Sequence, residues 1–66
     1  MIIYKDIMNK LKECGYPTTR IRKEKLLSES TITKLRNNKP ITMTTLNDIC
    51  KMTGLPVSDL VEYIPD

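Results

Sequence analysis

The 66-residue chain has no histidine, no tryptophan and no phenylalanine, and only two cysteines and two glycines. Each shortage removes a class of function. Without histidine, no side chain has an ordinary pKa suited to general-base work near neutrality. The hydroxyls of Ser28, Ser30, Thr31 and Thr33 have no base in sequence range to activate them. The acidic pair Asp59 and Glu62 reads as dipole complement and solubility rather than as an acid/base couple. Catalysis is therefore not expected. Zinc wants four ligands, usually Cys or His, and Cys14 and Cys50 cannot furnish them. With Gly15 and Gly54 far apart, there is no glycine loop to cradle a phosphate. The longest apolar run is Met1-Ile2-Ile3-Tyr4, which excludes a membrane helix and a signal peptide. A Met start and no targeting tract make the cytoplasm the expected location. That setting disfavours a Cys14–Cys50 disulfide, so both cysteines are expected as small buried apolar residues. No cofactor, metal, membrane or small-molecule ligand is implied.

What remains is one small domain, residues 1–66. A domain this size buries only about 60% of the surface its unfolded chain exposes, so its stability is marginal. Apolar residues at 39% against 29% charged suit a folded core of Leu, Ile and Met rather than a disordered chain. The charge is unevenly spread. Net charge is +1 over residues 1–17, +5 over 18–39 and −3 over 40–66. A basic centre between a near-neutral and an acidic part points to one face for a polyanion.

Hydrophobic spacing predicts five short helices. Tyr4, Ile7, Met8, Leu11 and Cys14 form the stripe of a first helix from about Tyr4 to Cys14, with Asp6 in its first turn and Gly15 ending it. A second begins near Pro17 or Thr18, with Ile21 inward and Arg20, Arg22, Lys23 and Lys25 around it. Ser28 caps a third helix, with Leu27 and Ile32 as a staple and Asn37-Asn38-Lys39-Pro40 as the stop. Thr42 caps a fourth, which Gly54 terminates. A fifth begins near Ser58 and is expected to bury Leu60, Val61 and Ile64. Ile2, Ile3 and Tyr4 either pair as a short strand with Glu62 to Ile64 or lie across the core. Met43 and Met52 read either as packing residues or as a partner surface. Ile7, Leu11, Ile21, Ile32, Leu35, Leu46 and Ile49 are the expected core.

The second and third helices, about 18–25 and 28–37, are separated by a turn of helix-turn-helix length, in which the second helix of the pair enters the DNA major groove. At about 100° per residue, Ile32 and Leu35 point inward, while Ser30, Thr33, Lys34 and Asn37 point outward. These outward side chains suit base edges: Lys for guanine, Ser or Thr for several bases, and Glu29 for cytosine N4. Asn37, Asn38 and Lys39 suit phosphate oxygens.

The runs Gly15-Tyr16-Pro17-Thr18-Thr19-Arg20-Ile21-Arg22-Lys23 and Leu27-Ser28-Glu29-Ser30-Thr31-Ile32-Thr33-Lys34-Leu35-Arg36-Asn37 resemble the Cro and phage-repressor type of helix-turn-helix domain. The later run from Thr44 to Pro65 is similar to that family's fourth and fifth helices, and the likeness is to its short, single-domain bacterial and mobile-element members. The resemblance implies an all-α, five-helix, lambda-repressor-like fold. It implies base reading by Glu29, Ser30, Thr33 and Lys34, and phosphate binding by Thr18 and Asn37. Arg20, Arg36, Asn38 and Lys39 complete the expected phosphate set. The chain departs from the family pattern at Leu26, where a small residue is usual, and at Arg22 and Lys25, where small or apolar residues are preferred.

The expected function is sequence-specific binding of double-stranded DNA by a transcriptional regulator, with no enzymatic activity. The expected form is a homodimer, assembled in solution or only on DNA, with Leu55, Val57, Val61, Tyr63 and Ile64 as candidates for its contact. The alternative is a protein-interaction module of the same fold, antitoxin-like or a regulatory partner. An exposed apolar face on helices 2 and 3 would favour that alternative; a continuous positive face would favour DNA.

Overall fold

Leucine and isoleucine alone make the interior. In a computed structural model that describes all 66 residues, the buried side chains are Ile7, Leu11, Ile21, Leu27, Ile32, Leu35, Ile49 and Leu60. No polar or charged residue is buried, and no buried side-chain N or O lacks a hydrogen bond. The elements run β1 (Ile2–Tyr4), α1 (Ile7–Glu13), α2 (Thr18–Lys23), α3 (Glu29–Arg36), α4 (Met43–Thr53), α5 (Val57–Leu60) and β2 (Val61–Tyr63). Every helix contributes at least one core residue, and α1 packs against both α3 and α4. No helix is long and apolar enough to cross a membrane.

Local chemistry sets most of the helix ends. Ser28 Oγ accepts from the Thr31 N–H at 3.1 Å, and Thr42 Oγ1 accepts from the Thr45 N–H at 3.1 Å, so both expected caps form. Four helices end in a left-handed residue with a backward hydrogen bond at the turn. After α1 the residue is Gly15 (φ 89°), and the Tyr16 N–H reaches Leu11 O. After α2 it is Lys25 (φ 53°), and the Leu26 N–H reaches Ile21 O. After α3 it is Asn38 (φ 54°), and the Lys39 N–H reaches Lys34 O. Gly54 (φ 70°) ends α4, as expected.

The structure corrects the sequence reading at both ends of the chain. Tyr4 lies in a strand, and α1 starts only at Ile7. Asp6 precedes that helix in the left-handed region and makes no capping bond through its side chain. The fifth helix is a single turn that buries Leu60; Val61 leaves it in extended conformation, and Ile64 is exposed. Of the two arrangements open for Ile2 to Tyr4, the strand pairing forms, as an antiparallel sheet with Ile2 opposite Tyr63, Ile3 opposite Glu62 and Tyr4 opposite Val61. The fold is thus the expected five-helix one, with a small two-stranded sheet as a minor addition. Leu46 is only half-buried, while Leu27 and Leu60 join the core. Cys14 and Cys50 are free thiols, but Cys14 is exposed because it sits past the buried stripe of α1, with Sγ donating to Thr53 O at 3.6 Å.

Asn38 ties the sheet to α3. Its Oδ1 accepts from the Tyr4 N–H at 2.8 Å, and its Nδ2 donates to Ile2 O at 3.0 Å. The amide thus satisfies the outer edge of β1 as a neighbouring strand would. Tyr4 adds a second tie, its hydroxyl donating to Lys39 O. Burial raises the Tyr4 phenol pKa above its ordinary value, more than a backbone hydrogen bond from Ile41 lowers it.

Two stability outcomes follow from this packing. Leu35→Ala is expected to cost about 2–5 kcal/mol, a large part of a total of about 5–15 kcal/mol, and a thermal melt reads the loss directly. An unchanged melting temperature would refute the packing of α3 described above. Asn38→Gly, which keeps the left-handed backbone easy, is expected to lose about 1–3 kcal/mol through the two edge bonds alone. Denaturant titration of this variant beside Asn38→Ala separates the side-chain bonds from the backbone cost, since only alanine adds left-handed strain.

Candidate nucleic-acid interface

Burying Ile32 and Leu35 fixes which way α3 faces. Glu29, Ser30, Thr33 and Lys34 are all exposed on the side the core does not use. Ser30 and Lys34 make no side-chain hydrogen bond or ion pair within the fold, nor does the Thr33 hydroxyl. The four residues expected to read bases thus come together on one helix surface. Glu29 differs from the other three because its carboxylate is paired: Arg22 Nε of α2 stands 2.5 Å from Glu29 Oε1.

The residues expected at phosphates divide into two groups. Thr18 and Arg36 meet, with Arg36 Nη2 donating to Thr18 Oγ1 at 3.2 Å. This contact links the first turn of α2 to the last turn of α3. Asn37 folds back on its own helix, its Nδ2 donating to Thr33 O at 2.9 Å, and stays exposed. The ammonium of Lys39 is exposed and has no partner in the fold. Asn38 and Arg20 are committed elsewhere. The Asn38 amide is spent on β1. Arg20 pairs with Glu24 at 2.6 Å, donates to Gly15 O at 2.8 Å and lies over the Tyr16 ring at 4.6 Å. The hydrogen bond and charge of Glu24 raise the Arg20 pKa further above its ordinary value.

Arg22 of α2 and Lys25 of the turn after it complete the picture. With Leu27, Ser28 and Glu29 they line an open depression of about 360 Å³ at the start of α3. Spacing alone does not mark Arg22 as part of this surface. The available signal is a pair of opposite charges, Arg22 and Glu29, on the two sides of a tight turn. Lys23, Lys25, Lys34 and Lys39 are exposed and carry no ion pair. They make α2, the turn and the outer side of α3 positive.

Apart from Leu26, the exposed large apolar residues lie outside α2, the turn and α3. Ile2, Met43 and Val57 line a groove of about 490 Å³ between the sheet and α4, beside the exposed Tyr63. Only Leu26 interrupts the basic side with an exposed large apolar side chain. No cluster of His, Cys, Asp and Glu able to hold a metal ion is present.

The family model for the Cro/C1-type HTH DNA-binding domain matches residues 6–66. No curated protein and no solved structure matches the chain. The match spans nearly the whole length, including the capped α3 and its open polar side, and on that basis the chain belongs to the Cro/C1-type helix-turn-helix DNA-binding domain family.

Proposed function

We propose that the protein is a sequence-specific transcriptional regulator that places α3 in the major groove of its operator. The observation that carries this reading is the exposed row Ser30, Thr33 and Lys34, which the fold leaves without partners although its backing residues Ile32 and Leu35 are buried. Lys34 donates to guanine, and Ser30 and Thr33 to base edges within reach. Thr18, Arg36, Asn37 and Lys39 bind phosphates on either side and fix the register of α3. Arg20 and Asn38 belong to the same proposed phosphate set and also hold the scaffold through their contacts within the fold. Regulation is by occupancy, the bound protein obstructing or recruiting polymerase. The protein acts in the cytoplasm.

The alternative, a protein-interaction module using the same helices, would call for an apolar surface on α2 and α3. Polar and basic side chains dominate there instead, with Leu26 as the one large apolar exception. The apolar groove at the sheet pole suits a second copy of the chain. One recognition helix covers too few base pairs to select a site from a genome's competitors. A two-fold dimer on a symmetric operator, with half-sites about 34–36 Å apart, supplies the missing selectivity.

Binding isotherms on a selected operator and on unrelated duplex test the reading. Lys34→Ala is expected to weaken operator binding by about 1–3 kcal/mol and to relax one base position. Lys39→Ala is expected to weaken all sequences alike and to flatten the salt dependence by about one unit of slope. If Lys34→Ala leaves both affinity and preference unchanged, α3 does not read bases. Sedimentation with a palindromic duplex, followed by footprinting, is expected to give two chains protecting two half-sites one turn apart. A single protected half-site at saturation would refute the dimer.

A further inference from the structure

Arg22 departs from the family pattern in sequence, and in the structure it reaches across the turn to the first residue of α3. Thr18 and Arg22 are one helical turn apart on α2, so they lie on the same side of that helix. Thr18 meets Arg36 at the end of α3, and Arg22 meets Glu29 at its beginning. The side of α2 carrying these two residues therefore runs along α3 from end to end. Glu29 is one turn before Thr33, on the same polar surface of α3. The Arg22–Glu29 pair accordingly stands at the N-terminal edge of the reading surface, with both side chains about half exposed or more (49% and 66%).

Two features make this more than a surface ion pair, which by itself contributes little to stability. A lone carboxylate at the start of a groove-entering helix would repel phosphates. Arg22 neutralises it locally. The contact to Glu29 is made through Nε, and neither Nη group of Arg22 has a partner in the fold. A guanidinium held in this way still has two donors, and the carboxylate beside it still has an acceptor. Across the major groove, a G·C pair presents two acceptors, N7 and O6 of guanine, next to one donor, the N4 amino group of cytosine. The Arg22–Glu29 pair offers the complementary series, two donors next to an acceptor. An A·T pair presents acceptor, donor, acceptor and methyl, and it matches this series at no more than part of its edge.

We infer that Arg22 is a specificity-determining residue and that Arg22 and Glu29 together read one G·C base pair at the end of the half-site facing the start of α3. The inference rests on the reading of α3 as the helix that enters the groove. Arg22 supplies the fork to guanine, and Glu29 both steadies that fork and accepts from cytosine. Neither residue is sufficient alone, because the unpaired partner would present an uncompensated charge.

Selection of bound duplexes from a random pool tests this with the full chain, using the wild type, Arg22→Ala, Arg22→Lys, Glu29→Ala and the double alanine variant. Melting curves of each protein establish that it is folded; both side chains are exposed, so folding is expected to persist. The wild type is expected to enrich a G·C pair at one outer position of each half-site. Each single variant is expected to lose that preference by about ten-fold while keeping the preferences elsewhere in the site. The double variant is expected to lose no more than the worse single one, the signature of two residues acting as a unit. Arg22→Lys is also expected to fail, because an ammonium keeps the charge but not the planar fork. Retention of the G·C preference in Arg22→Ala or Arg22→Lys overturns the assignment. So does an equal loss of affinity for all sequences, which would make Arg22 a phosphate contact. In both of those cases the reading of DNA by α3 stands, whereas a wild-type protein that enriches no sequence overturns the two together.

Discussion

Burial of Ile32 and Leu35 behind α3 is the constraint on which the rest depends. A helix of eight residues is too short to persist in water alone. It exists because these two side chains close against the other aliphatic core residues, with Ile7, Leu11, Ile21 and Leu27 among them. Once they are committed inward, helical geometry turns Ser30, Thr33 and Lys34 outward. The same commitment sets the chain on either side of α3: Leu27 enters the core just before the Ser28 cap, and Asn38 clasps β1 just after the last turn. The exposed polar side of α3 is thus held at three levels, by apolar burial beneath it, a backbone cap before it and an amide clasp behind it.

Much of this was legible from local patterns, because the responsible forces act within four residues. The caps at Ser28 and Thr42, the stops at Gly15 and Gly54, and the inward direction of Ile21, Ile32, Leu35 and Ile49 all follow from spacing and side-chain type. Contacts that depend on distant neighbours were harder to see. The strands pair residues about sixty positions apart and are only three residues long, too short for a clear alternation. For Ile2 to Tyr4 this left pairing and simple coverage equally open, and the observed register engages Val61 to Tyr63. Asn38 and Arg20 carry donors suited to phosphate. Nothing in their local sequence shows that the fold spends those donors on β1 in one case, and on Glu24 and Gly15 in the other.

Charge and hydrophobicity are partitioned along the molecule. The basic side comprises α2, the turn and α3. The apolar groove lies at the sheet pole, between residues from both ends of the chain and α4. An electrostatic surface keeps its function when wet, since it acts on a polyanion through water and ions. An apolar groove gains only by being covered. Because the groove is not built from α2 or α3, covering it would leave the basic residues of those helices free.

The turn between α2 and α3 carries one consequence for substitution at Lys25. Lys25 holds a left-handed backbone, a conformation that costs an ordinary side chain about 1–2 kcal/mol relative to its preferred regions. Glycine would relieve that strain. It would also remove an unpaired positive charge beside the start of α3. Lys25→Gly would therefore exchange a positive charge at the start of α3 for an easier turn.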